Sequence, residues 1–286
     1  MRWMTDDAAC HIMVQKIIIN MNKKIITACM TAAGAAAAAG LPFRIDETFY
    51  RIAAPEIKHQ TRICVLSDLH SSTFGKNQKH IVERVHRARP DLIVMPGDII
   101  DDKKDSGPAF ELVSELGDYP LFYVEGNHER RMTDDVRIRQ KQKLKDLGAH
   151  VLEDNSVIIE TSGIEIAGLH SMHHQPDCTP DRASQLFSSR WFRILLSHRP
   201  WYPEFYSKVD CDLIISGHAH GGQWRIPFIN QGIYAPQEGL FPKFAQGLID
   251  LGPNSILISR GLNRRKYFIP RLYNNPEICY IDIIKN

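Results

Sequence analysis

Five short apolar runs constrain this chain more than any other feature, because each ends on side chains able to hold a metal ion. They are RICVLS (62–67), DLIVMP (91–96), LFYVE (121–125), RILLS (193–197) and DLIIS (212–216). Continuous β-branched runs of this length suit strands covered on both faces, which places them in the interior of an α/β fold. The first leads into Asp68 and His70, the second into Gly97-Asp98, and the third into Gly126-Asn127-His128-Glu129. The fourth meets Ser197-His198, and the fifth reaches Gly217-His218-Ala219-His220. In open α/β sheets ligands bind beyond the carboxyl ends of strands. Five runs delivering Asp, His or Asn at that same end therefore form one converging set. Each alone reads as turn chemistry or a hydrogen-bonded histidine; together, in order, they do not.

Helical patterns lie between the early runs. In 77–88 Ile81, Val82 and Val85 recur at helical spacing behind Asn77, a candidate N-cap. Residues 107–117 and 134–147 are further helices, the latter stopped at Gly148. Successive short strands follow at 150–169, and the stretch 246–284 is again strand-like. One α/β domain with mixed sheets accounts for this order.

The N-terminal fifth differs. From Ile25 to Phe43 there are 19 residues without a charge, rich in alanine and preceded by two lysines. The stretch fits a retained membrane anchor or a cleaved signal, with an alanine-rich soluble helix as the third reading. The expected division is residues 1–45 as a targeting segment and 46–286 as the folded domain. The expected location is membrane-associated or exported, in the cell envelope, with the cytoplasmic membrane face as the other placement.

A net charge of +2 argues against a broad nucleic-acid surface, and the basic runs HERR (128–131) and NRRK (263–266) read as solvated surface within reach of phosphates. The six cysteines form no C-x-x-C pair, so neither a disulfide framework nor a zinc cluster is indicated. No P-loop and no H-E-x-x-H occur.

The order Asp-x-His, Gly-Asp, Gly-Asn-His-Glu, His and Gly-His-x-His resembles the calcineurin-like metallophosphoesterases. GHAHGGQWRIP, GIYAPQEGLFPKFAQGL, ISRGL and NNPEI are similar to a bacterial, membrane-associated subgroup of them. The resemblance implies two mixed β-sheets packed face to face and flanked by helices. It also implies two divalent ions, one held by Asp68, His70, Asp98 and His220, the other by Asp98, Asn127, His198 and His218. Two adjacent cations need an anionic bridge, a role for Asp98, while Asn127 adds a neutral oxygen. Mixed nitrogen and oxygen donors favour manganese, iron or zinc. By the same resemblance His128 faces the phosphate and serves the leaving oxygen, and Glu129 orients its imidazole. The glycines around His218 and His220 are expected to allow a tight turn beneath them.

The function these residues imply is hydrolysis of a phosphodiester, pyrophosphate or phosphomonoester, with a lipid-linked substrate suggested by Trp224, Phe228 and Phe241. Core packing explains those three aromatics equally well. The alternative is a silent binding module on the same fold, against which the complete ligand set speaks. A phosphoprotein phosphatase lacks the further basic signatures expected of one. His170, His173 and His174 read as surface loop histidines.

Overall fold

The computed structural model describes residues 23–285 apart from 25, 33, 36–37, 171–178, 201, 230, 236–237 and 267–268. The chain divides into two compact units, Met1–Leu41 and Pro42–Asn286. In the first, residues 26–32 are helical, and among the described residues no helix is long and apolar enough to cross a membrane.

The second unit opens with strand β1 (Asp46–Ala53) and continues with β2 (Thr61–Val65), helix α1 (Lys79–Ala88), β3 (Leu92–Pro96) and α2 (Gly107–Glu115). Next come β4 (Leu121–Val124), α3 (Asp134–Asp146), β5 (Ala149–Val151), β6 (Asn155–Ile159) and β7 (Ile164–Gly168). Short helices α4 (Pro180–Ser184) and α5 (Pro203–Tyr206) flank β8 (Phe192–Leu196), and β9 (Leu213–Ser216) follows. Two small hairpins, β10–β11 (Tyr234–Ala235, Gly239–Leu240) and β14–β15 (Arg265–Lys266, Ile269–Pro270), bracket β12 (Gly247–Asp250) and β13 (Ser255–Ile258). The long β16 (Glu277–Ile284) ends the fold.

Two six-stranded mixed sheets result, ordered β1-β16-β2-β3-β4-β5 and β12-β13-β9-β8-β7-β6. The sheet interface is apolar from both sides: Ile63, Val65, Val94 and Phe122 meet Ile166, Ile194, Leu213 and Ile215. Alternate residues of the first sheet, Cys64, Ile93 and Met95, instead pack under Ile81, Val85, Leu112 and Leu144 of the three longer helices. Leu195 and Ile214 likewise pack under Ala183 and Tyr206. The continuous apolar runs are explained by this: each strand of the middle layers is covered twice. The expected helix–sheet–sheet–helix layering is the observed one.

Three local expectations fare differently. The helix boundaries at 107–115 and 134–146 follow the pattern, and Gly148 takes a left-handed φ of 91° just after the latter. Asn77 is not a cap. It lies in a 3₁₀ turn at φ 52°, and α1 begins behind Gln78, which has no side-chain capping bond. Gln78 is buried because its amide is used elsewhere, accepting from Phe74 N and donating to the carbonyls of Ser72 and Pro108. Strand β1, which the pattern did not announce, pairs parallel with β16 from Asp46 opposite Glu277 to Ala53 opposite Ile284.

Candidate metal centre

The parallel strands β2, β3 and β4 of one sheet and β8 and β9 of the other end at a common edge, and their following residues turn inward there. Asp68, His70, Asp98, Asn127, His198, His218 and His220 are all buried. Asp68, His70 and His220 each place one ligand atom within 4.8 Å of the others, and Asp98, His198 and His218 form a second such group. Asp98 stands between them. Its Oδ2 is 3.6 Å from His70 Nε2 and 3.2 Å from His198 Nε2.

The backbone meets these demands at a cost. Asp68, His70, Asp98, His218 and His220 have φ of 50°, 48°, 52°, 68° and 49°, the left-handed region that L-residues seldom occupy. Gly221 and Gly222, at φ of 62° and 76°, allow the tight turn after His220 as expected, while Gly217 serves by close approach: a Cβ there would overlap Asp68 Oδ2. Gly126 stands in the same relation to Asp98 Oδ1.

Hydrogen bonds fix several rings. His198 Nδ1 lies 2.8 Å from the Pro96 carbonyl, so this nitrogen carries the proton and Nε2 is left facing Asp98. His218 Nδ1 lies 2.9 Å from His198 Nε2. Both Asp68 oxygens accept from His218 N at 3.0 Å. Burial pushes Asp68 up despite the nearby His198 imidazole, the mark of a buried carboxylate short of positive charge. Burial would also raise Asp98, but His198 outweighs it and holds Asp98 well below the carboxylate range. His220 is pulled well down by burial and by His70.

Two orphaned atoms test whether cations fit. Asn127 Oδ1 and His70 Nε2 are buried with no hydrogen-bond partner among the described residues. A carboxamide oxygen and an imidazole nitrogen left bare in a buried acidic cluster are an unfavourable arrangement unless a cation completes it. The donor set fits a pair of divalent ions.

Glu129 does not orient His128. Its carboxylate accepts from the backbone N–H of Asp98, Ile100 and Gly126 at 3.1, 2.9 and 2.9 Å, bracing the two loops that carry Asp98 and Asn127. Burial and then Asp98 push Glu129 up to about 7. The ring of His128 instead sets Nδ1 2.5 Å from Asp102 Oδ1 and 3.7 Å from Asp101 Oδ2, and lies edge-on to His70 with centroids 4.4 Å apart. Asp101 also lies 3.4 Å from His70 Nδ1. The sequence signal for both was the Asp-Asp pair closing GDIIDD, four and five residues from Gly97.

His170 is half-buried with Nδ1 3.3 Å from Glu125 Oε2, away from the two ligand groups, so it is not a free surface residue; His173 and His174 lie outside the described residues. Trp224, Phe228 and Phe241 are exposed at 42%, 109% and 58%, which removes core packing as their explanation.

Comparison with known proteins agrees with this geometry. The calcineurin-like phosphoesterase family model matches residues 61–222, more than half of the chain. Phosphodiesterase YaeI of Escherichia coli (strain K12) is 28% identical over 230 residues, covering 78% of this chain and 82% of that protein. The uncharacterized metallophosphoesterase YkuE of Bacillus subtilis (strain 168) is 28% identical over 251 residues, 83% and 85% of the two chains. Cj0846 of Campylobacter jejuni, also an uncharacterized metallophosphoesterase, is 31% identical over 71% of this chain, which spans only 54% of that longer protein. A family match over most of the domain, together with ligand groups gathered at one sheet edge, makes this chain a member of the calcineurin-like phosphoesterase family and a phosphoester hydrolase.

Proposed function

We propose that the protein hydrolyses phosphodiester-type bonds at a two-metal centre. One ion is held by Asp68, His70, Asp98 and His220, the other by Asp98, Asn127, His198 and His218. The observation that carries this is the position of Asp98 Oδ2 between His70 and His198, where a single carboxylate serves both groups. Paired divalent ions supply Lewis acidity and a water acidified enough to attack phosphorus near neutral pH. Nitrogen and oxygen donors together favour manganese, iron or zinc.

The chain's own residues do the rest. Asp98 balances two cations, the neutral Asn127 spares the site further negative charge, and Glu129 keeps both loops in place. His128 faces the leaving oxygen, its Nδ1 2.5 Å from Asp102 Oδ1; burial pulls the imidazole below its ordinary value, which eases release of a proton. The phosphodiesterase named among the relatives supports a diester over a monoester. Exposed Phe228 and Phe241 and the uncharged stretch 25–43 support a membrane or envelope setting and a lipid-linked ester.

The test joins metal content to turnover. Protein loaded with manganese is expected to carry about two equivalents and to cleave bis(p-nitrophenyl) phosphate in preference to p-nitrophenyl phosphate. Asp98→Asn is expected to lose at least one equivalent and about 10³-fold or more in rate with the far-UV spectrum unchanged. Retention of both metals and full turnover by that variant removes the bridging role.

A further inference from the structure

One strand further out in each sheet, the carboxyl ends of the strands gather a second set of donors. Glu125 follows β4, Glu153 lies just beyond β5, and His170 lies just beyond β7. Strands β5 and β7 lend nothing to the seven ligand-type residues, and β4 lends only Asn127, two positions after Glu125. The sheets come close here because Gly168, the last residue of β7, has no side chain: a Cβ on it would overlap Leu152 Cβ and Val124 Cγ1. The backbone of His170 is pinned from both sides. Its N–H donates to Asp154 Oδ1 at 2.8 Å, and its carbonyl accepts from Arg130 Nη1 at 2.5 Å. The ring then stands with Nδ1 3.3 Å from Glu125 Oε2. Glu125, Glu153 and His170 each place one ligand atom within 4.8 Å of the others.

Glu125 is the member that calls for a cation. Its side chain is 1% exposed, and neither carboxylate oxygen has a hydrogen-bond partner among the described residues. His170 Nδ1 is buried and lacks one too. Arg137 Nε and Lys141 Nζ come no nearer to Glu125 Oε1 than 3.8 Å, too far to donate to it. Lys141 donates instead to Glu153 Oε1, and Lys145 Nζ lies 3.9 Å from Glu153 Oε2. A buried carboxylate without donors is costly unless a cation meets it. The 3.3 Å between His170 Nδ1 and Glu125 Oε2 is the edge of a tetrahedral site, since bonds of about 2.1 Å to one ion set neighbouring ligands about 3.4 Å apart. Asp98 Oδ2 and His198 Nε2 stand at nearly the same spacing, 3.2 Å. The outer side is open, with the side chains of Glu153 and His170 32% and 26% exposed, which gives an ion a way in.

We propose that Glu125, Glu153 and His170 form a third metal-ion site, separate from the ion pair at Asp98, which takes zinc or a cation of its class. One imidazole with two carboxylates suits zinc, whereas calcium and magnesium prefer oxygen throughout. Zinc displaces the Lys141 ammonium, which otherwise balances the Glu153 carboxylate. Manganese, lowest in the divalent series, competes poorly for the same three donors. Because Glu125 stands two residues before Asn127, an ion here ties the loop after β4 to the ends of β5 and β7. The site does not depend on the hydrolase reading above.

The experiment is equilibrium dialysis of the manganese-loaded full chain against micromolar zinc, with manganese and zinc counted together per chain by mass spectrometry. The summed content is expected to rise by about one equivalent over manganese alone, whatever exchange of zinc for manganese takes place at the Asp98 pair. In Glu153→Gln and in His170→Ala that rise is expected to be lost, with manganese content and the far-UV spectrum held. Both positions are partly exposed, so these variants probe the site without disturbing the buried Glu125. Lys141→Met removes the competing ammonium and is expected to tighten uptake of the added equivalent about tenfold. The proposal is overturned if the wild type takes up no further equivalent, or if either ligand variant takes it up as the wild type does. It is also overturned if Lys141→Met abolishes the uptake, since the lysine and not an ion then completes the cluster. The two-metal reading fails separately, on a manganese content other than about two per chain, and that failure leaves the zinc increment readable.

Discussion

His128 and Glu129 are neighbours in the chain and yet face different partners. The 3₁₀ turn that begins at Glu129 drives the glutamate inward onto three backbone N–H groups, while the histidine ring turns toward Asp102. Residue identity told which side chains were chemically able to act, and the seven ligand-type residues were legible for that reason. Which carboxylate orients which imidazole depends on a turn, and no spacing rule carries that. Asp102 is therefore a positioning residue whose effect has a recognisable signature. Asp102→Asn is expected to slow cleavage of an alkyl phosphodiester about 10- to 100-fold. Cleavage of a p-nitrophenyl diester should suffer far less, since that leaving group departs without a proton. Metal content should not change. Equal losses on both substrates would mean that Asp102 merely supports the loop.

At the scale of elements, strands were easier to read than the links between them. The doubly covered runs betrayed themselves by composition, whereas β1 is half-exposed along its length and has no such signal. The Asn77 cap failed because a neighbouring amide, Gln78, found buried partners in the loops around it. Glu165 in β7 is another polar group set by tertiary partners. Buried, it accepts from Ser156 Oγ at 2.7 Å and from the N–H and hydroxyl of both Ser188 and Ser189 at 2.7 to 3.0 Å, tying the 188–189 loop to the sheet. Burial alone would raise this carboxyl, but the serine donors bring it down to about 2 from an ordinary 4.5. Because the folded value lies below the unfolded one, the stabilisation is complete above about pH 4.5 and is lost as pH falls toward 2. Glu165→Gln is expected to cost about 2–3 kcal/mol in urea unfolding at pH 7. That difference should close as the measurements move into acid. A gap independent of pH would show that shape, not charge, is what Glu165 contributes.

Across the whole molecule, the two ends of the folded unit support the metal centre together. Asp46, the first residue of β1, receives Arg260 Nη2 at 3.2 Å; the Arg260 carbonyl accepts Arg271 Nη2 at 2.6 Å; and that same nitrogen lies 3.4 Å from His220 Nδ1. Thr48 donates to Glu277 at 2.5 Å, and Phe49 stacks on Tyr280 with centroids 4.8 Å apart. Strand β1 thus closes the edge of β16 and begins a chain of contacts that ends on His220. The division of the chain before Pro42 supports residues 42–286 as a unit able to fold alone, and two truncations separate what each segment does. Removal of residues 1–41 is expected to leave the melting temperature within about 2 °C and metal content unchanged. Removal of residues 1–53 bares the β16 edge and frees Arg260 from Asp46. It is expected to lower the melting temperature by about 10 °C or more and to weaken metal retention at the His220 side. If the longer truncation melts early yet holds both metals as firmly as the full chain, β1 contributes to the sheet alone and the Arg260–Arg271 link does not reach the centre.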